Sequence, residues 1–327
     1  MSRSVVANIA CIVNPASAGG ATGKTWDAWS SMLDKAGLMH VTHATSGRND
    51  AIGATRQLLR EGHHTIIAVG GDGTINEVVN GFFSEDGTPI NPDATLAIFP
   101  RGTGCDFRRT LRIPLDIEGC IAVLAAGNVQ SIDVGKVAFD LPTPSTRYFV
   151  NIADCGVGGA IARRVNSSPL KAGGFRGTAV FLGISLQTLL TYPDPEVTVE
   201  VDGSLFYTGP VSNVVVANGQ YFGGGMKVAP NARLDDGTFD ILVLAPDSRI
   251  DAIRGLANIY NGSHLHQKGV LTTTGSTVRI AAPDSQEEDV LFDIEGEQIG
   301  TVPATITCLP QALKMYIPTD QTAEEEI

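Results

Sequence analysis

The residues best placed to do chemistry lie in one short stretch, Gly70-Gly71-Asp72-Gly73-Thr74, inside the run Ile66 to Gly81. Glycines let a backbone approach a ligand without a clashing Cβ, and a helix start offers unpaired N–H groups and a positive dipole end to an anion. A phosphate suits such a turn, but Asp72 repels it unless a divalent cation sits between them. The implied ligand is a metal-bound polyphosphate; the plainer alternative is a tight strand-to-helix turn with a capping Asp. Two further small-residue loops accompany it, Asn14-Pro15-Ala16-Ser17-Ala18-Gly19-Gly20 and Pro100-Arg101-Gly102-Thr103-Gly104-Cys105-Asp106-Phe107, the second with an acid of its own. Ala18 to Thr25 also reads as a near P-loop, in which Lys24 would reach phosphates and Thr25 the metal. Ala18 in place of the first glycine, and four residues between the strand and the motif, count against that reading.

The elements that must carry these loops follow from periodicity. Val5 to Val13 is a buried strand, Thr25 to Ala36 a helix, His40 to Thr45 a strand and Asp50 to Arg60 a helix. Ile66 to Val69 is a third strand, and Ile75, Val78, Val79 and Phe82 then recur at helical spacing. Thr95 to Phe99, a helix over Ile117 to Ala126 and a strand over Gln130 to Val137, which contains Asp133, complete an alternating series. Alternation predicts a doubly wound α/β domain over 1–137, with ligands at the carboxyl ends of parallel strands, where all three loops fall. Beyond it the texture becomes β-rich. Val197, Val199 and Val201 alternate with polar residues, and Val211 to Ala217, Phe239 to Leu244, Thr272 to Ala281 and Asp289 to Ile294 read as strands. A mostly antiparallel β-sandwich is expected over 138–304, interrupted by a helix at Ser248 to Tyr260. Closing strands at Thr305 to Ile317 belong to a segment near 305–320 that can return to the first domain.

Composition narrows the classes. The 327 residues suggest two domains, and 43% hydrophobic with 18% charged residues suffices for sizeable cores. A net charge of -12 disfavours nucleic acid as a partner. The five scattered cysteines contain no C-x-x-C pair and read as reduced thiols in a cytoplasmic protein without a zinc site. Neither His63-His64 nor His264-x-His266 has metal ligands at useful spacing. No segment reads as a signal peptide or membrane span, and only the acidic tail, Thr322 to Ile327, reads as disordered.

Taken in order, several motifs resemble the diacylglycerol kinase catalytic-domain family, the soluble bacterial lipid kinases similar to sphingosine and ceramide kinases and, more distantly, NAD kinases. They are Asn14-Pro15-x-Ser17, Gly70-Gly71-Asp72-Gly73-Thr74-x-Asn76-Glu77-Val78-Val79-Asn80-Gly81, Gly102-Thr103-x-x-Asp106-Phe107, Asp133-x-Gly135-Lys136, Asp235-Asp236-Gly237 and Gly296-Glu297. The resemblance implies an ATP- and Mg2+-dependent lipid kinase with its active site in the cleft between the domains. It places ATP among Asn14, Pro15, Ala16, Ser17, Ala18, Thr45, Gly70, Gly71, Asp72, Gly73, Thr74, Ile75, Asn76, Glu77 and Thr103. It also implies that Asp72, Asp106 and Asp133 hold the nucleotide Mg2+ through waters, and that Glu297 takes the proton of the lipid hydroxyl. A second, structural Mg2+ would fall on the carbonyls of Arg233 and Thr238 and the carboxylate of Asp236, although Asp235-Asp236-Gly237 reads equally as a hairpin turn. Two positions depart from the family pattern: Cys105 stands where many members carry Asn, and Glu295 where the usual run is Asp-Gly-Glu. Glu295 reads as an exposed turn residue. Two rival readings stay open, a NAD-kinase-like enzyme acting on a soluble sugar hydroxyl and a non-catalytic nucleotide- or lipid-binding regulator. A homodimer is compatible with the sequence, which says nothing else of oligomeric state.

From Cys155 to Pro193 there is no further Asp or Glu, while Arg163, Arg164, Lys171 and Arg176 are positive. The second half of this gap, Gly174 to Tyr192, forms an apolar helix. Such a segment suits a lipid entrance that rests peripherally on anionic membrane, and equally a core helix with a basic start.

Overall fold

A computed structural model describes residues 8–102, 104–140, 145–167, 175–246, 248–283 and 290–319. Thr103, Lys171 and the acidic tail therefore lie outside the described residues. The chain divides into two compact units, 1–132 with 311–327, and 133–310.

In the first unit the strands β1 (Ile9–Val13), β2 (His40–Ala44), β3 (Thr65–Gly70) and β4 (Thr95–Pro100) pair in parallel in the order β2-β1-β3-β4. The helices are α1 (Ala21–Lys35), α2 (Asp50–Arg60), α3 (Asp72–Phe82), α4 (Asp106–Leu111) and α5 (Ile117–Ala126). β3 is apolar at successive positions because parallel strands are covered on both faces; every one of its residues is buried. Helix α1 begins at Ala21, four residues before the expected Thr25. Ala18, Gly19 and Gly20 turn through positive φ, and the Ser17 and Thr22 hydroxyls join at 2.6 Å to seat the first turn. Thr25 then lies a full turn inside the helix, where its hydroxyl donates to the Ala21 carbonyl (3.0 Å). Lys24 is exposed beside it, an arrangement that weighs against the P-loop alternative.

Strand β5 (Val129–Phe139) runs from the first unit into the second, which contains β6 (Ser145–Phe149), β7 (Ile152–Gly156), α6 (Val157–Ser167) and α7 (Phe175–Thr191). There follow β8 (Glu196–Val201), β9 (Ser204–Pro210), β10 (Asn213–Ala217), β11 (Phe239–Leu244) and α8 (Arg249–Ile259). The last strands are β12 (Val270–Gly275), β13 (Thr277–Ala281), β14 (Leu291–Ile294), β15 (Glu297–Thr301) and β16 (Ala304–Tyr316). One antiparallel sheet has the order β12-β11-β10-β7-β14-β15. In the other, β13 pairs antiparallel with β8 and with the first half of β16. Alternate residues of both fill one core, with Phe139, Phe149, Phe239 and Phe292 its largest members. The last residues of β16 belong to the first unit, where Lys314 and Met315 pair in parallel with β4.

Three expectations need correction. Thr272 to Ala281 is two strands, broken at Ser276, whose amide and hydroxyl bind the Asp202 carboxylate. The closing segment is one long strand with a local change of course at Gln311, which has a φ of 50°. Asp235-Asp236-Gly237 is not a tight hairpin turn: it ends the long connection between β10 and β11, which pair antiparallel. Helix α6 had no counterpart in the sequence reading, because its glycines and arginines blur the apolar stripe.

Candidate active site

In the first unit, the loops leaving β1, β3 and β4 are tied to one another. The Asn14 amide donates to the Val69 carbonyl (2.9 Å), and its side-chain Nδ2 to Thr74 Oγ1 (3.0 Å). Asn14 Oδ1 accepts from the Ala16 amide, and the Ser17 hydroxyl donates to the Asn14 carbonyl. On the other side the Arg101 amide donates to the Gly70 carbonyl (2.7 Å). A Cβ on Gly102 would fall 2.7 Å from the Gly71 Cα, so only glycine lets these two loops close on one another. Gly71 caps α3 in an extended conformation, and the helix starts at Asp72. Its first amides have no intrahelical acceptors and favour an anion there.

Two carboxylates meet at this point. A Cβ added to Gly104 would lie 3.2 Å from Asp72 Oδ2 and 3.5 Å from Asp106 Oδ2, so both acids converge on the face of that glycine. The Phe107 amide donates to Asp72 Oδ1 (3.4 Å), and Arg109 Nε lies 3.4 Å from Asp106 Oδ1. Burial, and after it the neighbouring Asp106, push the Asp72 carboxyl up to about 6. Two like charges drawn together beside an anion-binding helix start are what a hydrated divalent cation would relieve, since Mg2+ keeps most of its waters and needs few direct protein ligands. The residues present fit such an ion held through water; among the described residues no group of three or more His, Cys, Asp or Glu side chains is arranged to ligate one directly.

Other predicted residues have structural duties. Glu77 accepts the Asn49 amide on Oε1 (2.8 Å) and the Ala51 amide on Oε2 (3.2 Å), which caps the start of α2. The Ile75 side chain is buried in the core, and the Asn76 carbonyl and side chain receive Asn80 Nδ2. Pro15 and Ala16 present carbonyls that accept from Gly23 and Gly20, and the Thr45 amide donates to the Val13 carbonyl (2.8 Å).

Cys105 has a φ of 48°, in the left-handed region, and its buried Sγ accepts from the Gly102 amide (3.2 Å). Asn tolerates this backbone better than Cys, and its side-chain oxygen can take the same amide. Cys105→Asn is therefore expected to raise stability by about 1 kcal/mol in urea unfolding. A loss of similar size would show that thiol packing decides the position.

In the second unit, the Asp133 side chain is fully buried, and its Oδ2 accepts the Gly237 amide (2.7 Å). Its own amide donates to the Leu234 carbonyl, and its carbonyl accepts from Asn218 Nδ2. Asp236 Oδ1 accepts from both the amide (3.1 Å) and hydroxyl (3.0 Å) of Thr238, while Asp235 pairs with Arg233 at 3.4 Å. This Asx turn draws Asp236 to Thr238.

Glu297 opens β15, half-buried, after a turn in which Glu295 (φ 54°) and Gly296 (φ 89°) both occupy the left-handed region. Glu295 is not a free turn residue as expected: its Oε1 accepts the amides of Val150 (2.8 Å) and Asn151 (2.7 Å), anchoring the hairpin to the β6–β7 turn. Charge-assisted bonds of this kind contribute about 1.5–3 kcal/mol each. Glu295→Ala is expected to cost about 2–4 kcal/mol, read as a lower urea midpoint; a cost below about 1 kcal/mol would show that water replaces the carboxylate. Two more acids escaped the sequence reading, Asp154 on β7 and Asp293 on β14, both buried. Their signal was a lone Asp within an apolar strand, Ile152-Ala153-Asp154-Cys155 and Leu291-Phe292-Asp293-Ile294.

A parallel α/β unit with a phosphate-type turn, followed by an antiparallel sandwich, defines a kinase fold class, and comparison with known proteins makes it specific. Residues 8–137 match the diacylglycerol kinase catalytic domain, and residues 151–317 match the YegS C-terminal NAD kinase beta sandwich-like domain. The chain is 30% identical to a diacylglycerol kinase of Bacillus subtilis over 293 residues, 89% of this chain and 90% of that one. It is 28% identical to a diacylglycerol kinase of Staphylococcus carnosus over 88% of both chains. A crystal structure of a candidate diacylglycerol kinase from Bacillus anthracis superposes with a TM-score of 0.73 at 25% identity, covering 97% of this chain and 99% of that one. An NAD kinase from Archaeoglobus fulgidus in complex with ATP shares the fold, with a TM-score of 0.53 at 13% identity, over 97% of this chain and 96% of that one. The chain belongs to the diacylglycerol kinase family, a family of lipid kinases.

Proposed function

We propose that this protein transfers the γ-phosphoryl group of ATP to the hydroxyl of a diacylglycerol-like lipid. The observation that carries the reading is the convergence of Asp72 and Asp106 at the amide-rich start of α3. In this reading Asn14 to Ala18, Thr45, the Gly70 to Glu77 turn and Thr103 surround the nucleotide, with Ile75 and Asn76 acting through the shape of the helix start. Asp72 and Asp106, with Asp133, would hold Mg2+ through waters, and the ion would supply charge neutralisation on the transferring phosphoryl group. Asp236 and the carbonyls of Arg233 and Thr238 would hold a second, structural Mg2+. Glu297 accepts the lipid hydroxyl's proton as the oxygen attacks phosphorus.

The departures at Cys105 and Glu295 do not favour a decayed, non-catalytic regulator. Both side chains are built into hydrogen-bonded turns, as residues at working positions are. The fold shared with NAD kinases leaves the soluble-acceptor reading as the second choice. We also propose peripheral contact with anionic membrane through α6 and α7. Arg163 is exposed, and Leu186 and Leu190 of α7 are 40% and 47% exposed, whereas Arg164 is turned to the Thr188 hydroxyl (3.0 Å). No described helix is long and apolar enough to cross a membrane.

The test is radiolabelled phosphate transfer from ATP to diacylglycerol, sphingoid bases, ceramide, polyprenols and NAD, the lipids being presented in vesicles with and without anionic lipid. Transfer to diacylglycerol supports the proposal. Transfer to NAD alone overturns it, and no transfer to any hydroxyl favours the regulator. Equal rates and equal co-sedimentation on neutral and anionic vesicles would remove the membrane contact.

A further inference from the structure

Asp154 and Asp293 stand directly opposite one another on the antiparallel strands β7 and β14. Side chains so paired project from the same face with Cβ atoms about 5 Å apart. Both are buried, at 1% and 8% exposure, and among the described residues no cationic side chain pairs with either. Asp154 Oδ1 accepts from Asn213 Nδ2 (3.0 Å), whose Oδ1 in turn accepts the Gly158 amide (3.2 Å). Helix α6 closes over them so tightly that a Cβ on Gly158 would fall on Asp154 Oδ1. Asp293 Oδ2 accepts the Gly296 amide (3.2 Å), and its buried Oδ1 has no hydrogen-bond partner. Two ionised carboxylates cannot both persist in such a place, whereas one proton between them supplies the missing donor.

We propose that Asp154 and Asp293 hold one proton as a pair, and that through the Gly296 amide this singly charged pair positions Glu297. The inference rests on the reading of Glu297 as the proton acceptor. Gly296 is the residue immediately before Glu297, so the hold of Asp293 on its amide fixes the turn that presents that side chain. The proton matters for a second reason: a doubly charged pair would add to the negative field of Glu295 and Glu297, both of which act on Asp293. The remaining surroundings do not replace the proton. Gln298, opposite Asp293 on β15, is uncharged. The Cys155 thiol, next to Asp154, is itself pushed up by burial and lies in the sandwich core. On α6, Arg163 is exposed and Arg164 is engaged with α7. Burial raises both acids, and for Asp293 the opposing Asp154 raises it further.

Raised acids bind protons in the folded state that the unfolded chain releases, so their contribution to stability is lost as pH rises above the ordinary carboxylate range. The slope of unfolding free energy against pH therefore counts the protons held. Between about pH 6 and about pH 8, urea unfolding of the double variant Asp154→Asn/Asp293→Asn is expected to release about one proton fewer than the wild type, because neither acid is left to hold it. Neither single variant should lose more than the double, because burial raises the acid that remains. A double variant with the wild-type slope, or one that releases about two protons fewer, overturns the pair. For positioning, Asp293→Asn imitates the protonated acid and can still accept the Gly296 amide, whereas Asp293→Ala cannot. Turnover on the lipid substrate should be about tenfold higher in the Asn than in the Ala variant, with KM for ATP unchanged in both. Equal turnover of the two overturns the positioning role. If Glu297→Gln stays active while the proton counts hold, the base assignment has failed and the pair has not.

Discussion

Asp72→Asn is expected to lower phosphoryl transfer by about 10²–10³-fold, the usual scale for removing one preorganised electrostatic group, while making the protein more stable. The two effects share a cause. Asp72 is held beside Asp106 in a place that penalises its charge, and its carboxyl is pushed up to about 6 from an ordinary 3.8. At 1.36 kcal/mol per pH unit that is about 3 kcal/mol, which we reduce to about 2 because Asp72 keeps part of its surface exposed. The sign follows from the direction. The folded state favours the protonated acid, so this contribution is fully present below about pH 4 and is lost as pH rises through about 6. At pH 8 the wild type carries the whole penalty and Asn carries none. Thermal melts in the absence of nucleotide should show Asp72→Asn several degrees above the wild type at pH 8 and level with it near pH 4. Adding Mg2+ and ATP should raise the wild-type midpoint and not that of the variant. A variant that is both less stable at pH 8 and still active would remove Asp72 from the metal-holding role.

The parts of this molecule legible in the sequence are those whose signal is local. The apolar run Ile66 to Val69 with its glycine turn identified β3 and the start of α3, and the cap and periodicity at Ser248 to Tyr260 identified α8 within a residue at each end. The convergence of Asp72 with Asp106 followed from the rule that parallel strands present their carboxyl ends together. What escaped was tertiary. Glu77 lies in the motif most specific to the family, yet both its oxygens cap α2, which no spacing could reveal. Glu295 looked solvent-exposed because a Glu-Gly pair marks a turn; its partners, Val150 and Asn151, are more than a hundred residues away in the chain. Asp154 and Asp293 were visible as lone acids in apolar strands, but only the β7–β14 register makes them a pair.

Glu297→Gln is expected to lower turnover by about 10²–10⁴-fold, the range of a lost general base, with ATP affinity within about twofold of the wild type. Gln preserves the size and hydrogen-bonding reach of the side chain but cannot accept a proton, so a loss confined to kcat isolates proton transfer from binding. Glu295 and Asp293 anchor the hairpin, to Val150 and Asn151 and to the Gly296 amide, and Gln fills the same half-buried place as Glu297. The fold should therefore withstand Glu297→Gln, with a urea midpoint close to the wild type, while Glu295→Ala lowers the midpoint. ATP binding is measured by calorimetry, and turnover by phosphate transfer to diacylglycerol vesicles. Turnover within tenfold of the wild type would assign the proton to another acceptor; an equal loss of ATP affinity would make Glu297 a binding residue. Only a selective loss of kcat leaves Glu297 as the group that converts a nucleotide site into a kinase.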